Sequence, residues 1–263
     1  MVGQALRWPG PRRQAIGAPR MTDSWTAAAV LGAIVLVGSS VQRMAGIGFA
    51  LVSAPALVMV LPPADGVALC NCAAGVISAI GLVTAWRRIR LGAMLPLVLA
   101  ATATVPLGAW VAGRLPPPVL LASMGVLVSA AVLLVMCGTR VPALRGRGGA
   151  FTAGAASGFM NASAGVGGPA ISLYAVNAGW TVREFVPNAQ FYGLLVNLFS
   201  VAVKGPPHLA APAWLLSGAG IAAGSVVGRF LAARTPEGPA RRIVLLLALG
   251  GGLTTALKGL SQF

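Results

Sequence analysis

Ala45-Gly46-Ile47-Gly48-Phe49-Ala50-Leu51-Val52-Ser53-Ala54-Pro55 and Ala164-Gly165-Val166-Gly167-Gly168-Pro169-Ala170-Ile171-Ser172 are two copies of one pattern, alanine–glycine–hydrophobe–glycine, set 119 positions apart. Each copy lies inside a long apolar stretch. Glycine clusters there interrupt a helix and leave backbone N–H groups without intrahelical acceptors, free to face a ligand. Inside a membrane such groups need protein or a cavity around them. The correspondence extends past the glycines: at the same offset Asp65 matches Glu184, Val67 matches Val186, Asn71 matches Gln190 and Val76 matches Leu195. The chain therefore reads as an internal duplication with a broken helix opening each half.

Of the 263 residues, 57% are hydrophobic and 9% charged, and the mean hydropathy is +0.86. Soluble domains are roughly a quarter charged. Several apolar runs reach the length of about 20 residues that crosses a bilayer, so the class is a polytopic helical membrane protein with lipid as its first partner. A net charge of +15 would ordinarily suggest nucleic acid. Here the bases sit in short connections between apolar segments, the pattern that orients membrane proteins, and no nucleic-acid partner is expected. Cys70 and Cys72 are two apart on one helix and point to different faces, and Cys137 stands alone. No metal or cofactor is expected from them, and core packing is their role.

Residues 1–25 form an N-terminal arm with Arg7, Arg12, Arg13 and Arg20 and no apolar signal-peptide core. Two readings of it stand side by side: Met21 is the functional start, or the arm is disordered. The first repeat is residues 26–137, a polar connection with Arg140, Arg145 and Arg147 occupies 138–149, and the second repeat is 150–263. From Ala27 to Leu61 a continuous helix would be about 50 Å long, against a hydrocarbon core of about 30 Å. A break at Gln42–Gly48 turns it into a hairpin of two pieces of about 22 Å each. Ala64–Ala85, Leu91–Gly113 and Val119–Cys137 are full crossings. The second half repeats the plan: a hairpin from Phe151 to Ala178, interrupted at Asn161–Gly165, then Thr181–Val203, Ala211–Ala232 and Ile243–Leu257.

A hairpin plus three crossings is odd in number. The fold class is therefore all-α and polytopic, built of two repeats inserted upside down relative to each other. One side holds eleven bases, among them Arg87, Arg88, Arg90, Arg183, Arg229, Arg234, Arg241 and Arg242; the other holds Arg114, Lys204 and Lys258 outside the arm. The richer side is expected in the cytoplasm, with both termini outside.

Inverted repeats whose broken helices meet near the midplane are a transporter plan, with half-helix N-termini aimed at anionic groups. Gly46–Phe49 and Gly165–Pro169 are the expected N-termini, Pro169 fitting a first helical turn. Glycines also let helices pack closely. Their matched register in both halves, beside polar residues, favours the ligand. The candidate substrate-binding set is Gln42, Arg43, Gly46, Gly48, Asn71, Asn161, Ser163, Gly165, Gly167, Gly168, Gln190 and Asn197. Arg43 offers a permanent charge and five donors near the hairpin tip; if the hairpin reaches the cytoplasmic surface it is one more orienting base. The amides and Ser163 offer neutral hydrogen bonds, to a ligand or to a neighbouring helix.

The four acids are Asp23, Asp65, Glu184 and Glu237, and the one histidine is His208. A metal-cation transporter would place several carboxylates or imidazoles in the membrane. An intramembrane protease would need an aspartate pair, a Ser/His pair or a zinc helix there. No phosphate-binding loop of the form G-x-x-x-x-G-K-[ST] occurs. The sequence favours an anion over a cation and transport over catalysis.

Gln42-Arg43-x-x-Gly46-x-Gly48-Phe49-Ala50-Leu51-x-x-x-Pro55 resembles the first signature of the TauE/SafE sulfite-exporter family. Gly158-Phe159-x-Asn161-x-x-x-Gly165-x-Gly167-Gly168-Pro169 resembles the second. The resemblance runs from about Ala27 to Leu257. Phe49 stands where many members carry a third glycine. The resemblance implies export of sulfite, sulfoacetate or another organosulfur anion, in agreement with the anion preference. The expectation is thus an inner-membrane permease exporting a small oxyanion without cofactor. An inside-negative potential already drives anions outward by about 2.3 kcal/mol per charge per 100 mV. The alternatives are an organic-acid uptake permease, or a membrane partner of a redox enzyme that transports nothing itself.

Overall fold

Proline and a capping box set the helix starts. In the computed structural model, which describes residues 24–45, 48–137, 144–234 and 237–262, the first half consists of α1 (Trp25–Ala45), α2 (Phe49–Val60), α3 (Pro63–Val83), α4 (Leu91–Arg114) and α5 (Pro117–Met136). The second consists of α6 (Gly146–Ala164), α7 (Gly168–Asn177), α8 (Val182–Lys204), α9 (Ala211–Ala232) and α10 (Glu237–Leu260). α3, α5, α7 and α9 carry proline at the first or second helical position, where its missing N–H costs no hydrogen bond. α8 begins at Thr181, whose hydroxyl and backbone exchange hydrogen bonds with Glu184 in a reciprocal cap.

Six described helices, α1, α3, α4, α5, α8 and α9, are long and apolar enough to cross a membrane. The outer surface is apolar, with Leu95, Leu99, Val126, Leu198, Leu215 and Val226 exposed, while Gln42, Asn71, Asn161, Gln190 and Asn197 are buried. Apolar side chains outside and hydrogen-bonding ones inside suit a lipid solvent. The protein is a multi-pass membrane protein whose described elements are all helical.

α1 and α2 form an antiparallel hairpin: Ser53 Oγ donates to Ile34 O at 3.3 Å, and Val41 lies beside Gly48. The reversal needs Gly48, whose φ of 127° is strained for any residue with a Cβ. α6 and α7 reverse in the same way at Gly165, φ 74°, with Ser157 Oγ donating to Gly167 O at 2.7 Å.

Both breaks fall later than the sequence suggests. α1 continues through Gln42 and Arg43 to Ala45, and α6 continues through Asn161 to Ala164. The polar residues stay helical because hydroxyls bond back along their own helix: Ser39 to Val35 O, Ser40 to Leu36 O and Ser163 to Phe159 O. The arms are consequently unequal, 21 residues against 12 in the first hairpin and 19 against 10 in the second. α6 also starts at Gly146, so its first turn lies inside the connection expected at 138–149.

Glycines decide which helices meet. α3 runs antiparallel to α8, with Gly81 facing Gln190, Ser78 facing Gly193 and Gly75 facing Asn197. α5 runs antiparallel to α10 through Gly125–Ala256 and Ser129–Gly252. α1 lies parallel to α9, Gly220 meeting Gly32, Gly224 meeting Leu36 and Gly228 meeting Ser40. α4 lies parallel to α6, where Gly154 meets Leu97 and Gly158 meets Ala101. Absent side chains let backbones approach and gain dispersion contacts, the main attraction between helices when lipid is as apolar as leucine. One apolar cluster, with Leu31, Phe49, Leu57 and Ile77, borders α3; another, with Met94, Leu97, Val105 and Val196, borders α8. The polar seam runs between them.

Two exposed contacts tie the halves at opposite ends. Arg90, beyond α3, pairs with Glu184 at 3.0 Å, and its backbone N–H donates to Asn188 Oδ1 at 2.8 Å. Beyond α8, the His208 backbone N–H donates to Asp65 Oδ1 at 2.9 Å, with Nδ1 at 3.2 Å from the same oxygen.

Candidate functional site

A cavity opens on the α3–α8 seam where both hairpins turn. α1 contributes Gln42, the first break Gly48, and α3 Ser78; α6 contributes Asn161, the second break Gly167 and Gly168, and α8 Gln190 and Asn197. The space open to the centre of a water-sized molecule is about 80 Å³. A single water needs roughly 10–15 Å³ by that measure, so the cavity holds several waters or one small solute.

Apolar side chains such as Leu51, Ile171, Phe185 and Val196 make up much of its wall, and among them sit amides and hydroxyls wired across helices. Gln42 Nε2 donates to Gln190 Oε1 at 3.3 Å and to Ser78 Oγ at 3.5 Å. Asn161 Nδ2 donates to Ser200 Oγ at 3.0 Å and to Asn197 Oδ1 at 3.1 Å, while Asn197 Nδ2 donates to Gly193 O at 2.7 Å. These bonds link α1 and α6, the long arms of the two hairpins, to α3 and α8. The N-termini of α2 and α7 open at the cavity through Gly48, Gly167 and Gly168. Each brings unpaired N–H groups and the positive end of a helix dipole. Among the described residues no carboxylate lines the cavity. The arrangement offers donors and positive potential without a fixed negative charge, which suits a small anion.

Seven of the twelve sequence-proposed residues meet here: Gln42, Gly48, Asn161, Gly167, Gly168, Gln190 and Asn197. Four described ones lie elsewhere. Arg43, in the last turn of α1, packs against α9 at Gly228, and its buried Nε has no partner. Asn71 is buried on α3, with neither amide atom bonded. Ser163 bonds back along α6, and Gly165 forms the left-handed end of that helix, its carbonyl accepting from Cys70 Sγ at 3.7 Å. Gly46 lies outside the described residues, as do Met1–Asp23.

Ser78, Ser157, Ser200 and Lys204 were missed by sequence reading. Ser78 was legible, since it stands 119 positions before Asn197. Lys204 looked like a loop base, yet its Nζ donates at 3.0 Å to Ala162 O, one of the carbonyls that the end of α6 leaves without an intrahelical donor. Among the described residues no group of histidine, cysteine, aspartate or glutamate is arranged to hold a metal.

Neither a curated protein nor a solved structure matches the chain. A family model, that of the sulfite exporter TauE/SafE, matches residues 30–255, a span that takes in both hairpins, the α3–α8 seam and every cavity residue named above. The chain belongs to the sulfite exporter TauE/SafE family of membrane transporters.

Proposed function

We propose that the protein exports a small oxyanion, sulfite or an organosulfonate, across the cytoplasmic membrane through the cavity on the α3–α8 seam. The carrying observation is that two half-helix N-termini and six amide or hydroxyl side chains share one small cavity that no carboxylate among the described residues lines. Backbone N–H groups and neutral side chains bind an anion while its own charge is met by helix dipoles. Arg43 enters as a charge behind the wall, next to Gln42, since Coulomb attraction outranges a hydrogen bond. Gln42, Gly48, Asn161, Gly167, Gly168, Gln190 and Asn197 are the proposed contacts, with Arg43, Gly46, Ser163 and Gly165 supporting them; Asn71, also read from the sequence as a substrate residue, lies off this cavity.

We further infer that the halves, 26–137 and 150–263, are inverted repeats. Exchanging α1–α5 for α6–α10 turns the α1–α9 pair into the α6–α4 pair and returns the α3–α8 and α5–α10 pairs to themselves. The self-paired helices are antiparallel, as equivalent helices of inverted halves must be. The exchange also carries Glu184 onto Asp65, so the contacts with Arg90 and His208 become counterparts at opposite ends. Such a fold opens alternately to each side as one half rocks against the other.

Orientation follows from the bases: the end with Arg87, Arg88, Arg90, Arg145 and Arg147 faces the cytoplasm and both termini face outward. A reporter active only in the cytoplasm is expected to be active when fused at Gly146 and silent when fused after Phe263; the reverse reading would overturn the orientation. For function, liposomes holding the full-length protein are expected to release labelled sulfite faster than protein-free liposomes, and faster with an interior-negative potential. Flux of sulfate, sulfoacetate and acetate in parallel ranks the substrates. Acetate movement with no sulfur-oxyanion movement would replace this proposal with organic-acid transport.

A further inference from the structure

The α3–α8 seam carries two amide clusters, and one of them is incomplete. Toward the α3–α4 loop, Gln190 is bonded to Gln42, which also reaches Ser78. Toward the opposite end, Asn161 donates to Asn197 and Ser200. The counterpart of Gln190 in the first half is Asn71. Asn71 is 0% exposed, and both Nδ2 and Oδ1 lack any partner. In the register where Gly81 faces Gln190 and Gly75 faces Asn197, one more turn sets Asn71 against Ser200. Asparagine is one methylene shorter than the glutamine that bonds at the equivalent place, which accounts for the missing bonds. An unpaired buried carboxamide weakens a fold, and native interiors rarely keep one without a use.

The same end holds an intramembrane cation. Lys204 Nζ sits on Ala162 O, one residue beyond Asn161. Asp65, the described carboxylate of that end, is engaged by His208. We propose that Asn71, with Asn161, Asn197 and Ser200, forms a second anion station, one step farther along the path than the open cavity. Asn161 and Asn197 line the cavity and also belong to this cluster. Parting their mutual bond frees donors for an oxyanion moving on, and the idle amide of Asn71 receives it. Lys204 attracts the charge from beyond. The inference rests on the export reading above and adds an order of events to it.

The test uses full-length protein with Asn71→Leu and Asn71→Gln, read by sulfite flux in liposomes, equilibrium sulfite binding in detergent, and thermal melting. Asn71→Leu removes an unbonded polar group and is expected to melt no lower than the parent. Its sulfite binding stays within about threefold, because the cavity is intact, while flux falls about tenfold or more, the weight of one hydrogen bond to an ion. Asn71→Gln has the reach of Gln190; it is expected to bond Asn161 or Ser200, melt higher and carry less, and it decides the question if Asn71→Leu does not insert. Parental flux in the folded variants overturns the second station and leaves the export reading standing. Loss of binding in step with flux also overturns it, because Asn71 would then belong to a single shared site. A parent protein that moves no sulfur oxyanion overturns the export reading and this inference together.

Discussion

Gly168→Leu is expected to leave the protein folded and to reduce sulfite flux to the leak of protein-free vesicles. Gly168 opens α7 and lines the cavity, and a Cβ built on it meets nothing within 4 Å. The added side chain therefore enters open space, where it covers the N–H groups of α7 and intrudes into the cavity. Leucine is well tolerated in helices and Gly168 has no positive φ, so insertion and melting should match the parent. Gly167→Leu is a poorer probe. Its Cβ would press to 2.8 Å from Ser157 O and 3.0 Å from Asn161 Cβ, disturbing the hairpin as well as the cavity. The measurement is flux in liposomes beside elution profile and melting in detergent. A well-folded Gly168→Leu protein that transports normally would remove the cavity from the path.

The second large effect is structural. Gly158→Leu should prevent assembly, giving protein that aggregates on extraction. A Cβ at Gly158 comes within 2.6 Å of Ala101 Cα and within 2.6 Å of Thr104 Oγ1. Backbone cannot yield as a flexible side chain can, so the cost lies at or above the top of the roughly 1–3 kcal/mol usual for overpacking. It would also part α4 from α6 and break the bond from Thr104 Oγ1 to Ala155 O, 2.7 Å. Gly218→Leu on α9 is the control, since its Cβ meets nothing within 4 Å; it should extract as a single species. Equal behaviour of the two variants would show that the α4–α6 contact is not needed for the fold. The pair separates two uses of glycine that look alike in the sequence: one keeps a cavity open, the other lets two helices touch.

Residue pattern alone was enough for the membrane class, for the two breaks to within a turn, and for seven of the seventeen residues that line the cavity. These depend on composition and on short-range backbone rules, both of which are local or additive. Proline at helix starts and glycine at φ 127° and 74° act on their immediate neighbours, so their effect could be read in place. Gln42, Asn161, Gln190 and Asn197 could be named because each is a hydrogen-bonding side chain set in an otherwise apolar stretch. Which face each residue turns inward was decided only by packing between helices far apart in sequence. Arg43 and Gln42 are neighbours, yet close contact between α1 and α9 turns Arg43 toward Gly228 while Gln42 meets Gln190. Asn71 and Gln190 are counterparts that differ by one methylene, yet Gln190 accepts from Gln42 on α1 while neither amide atom of Asn71 is bonded. Lys204 ends a helix in the sequence, whereas in the fold it reaches the end of α6 inside the bundle. Pattern fixes where a chain turns, but the meeting of side chains depends on helix rotation and separation, which are set when all ten described helices pack together.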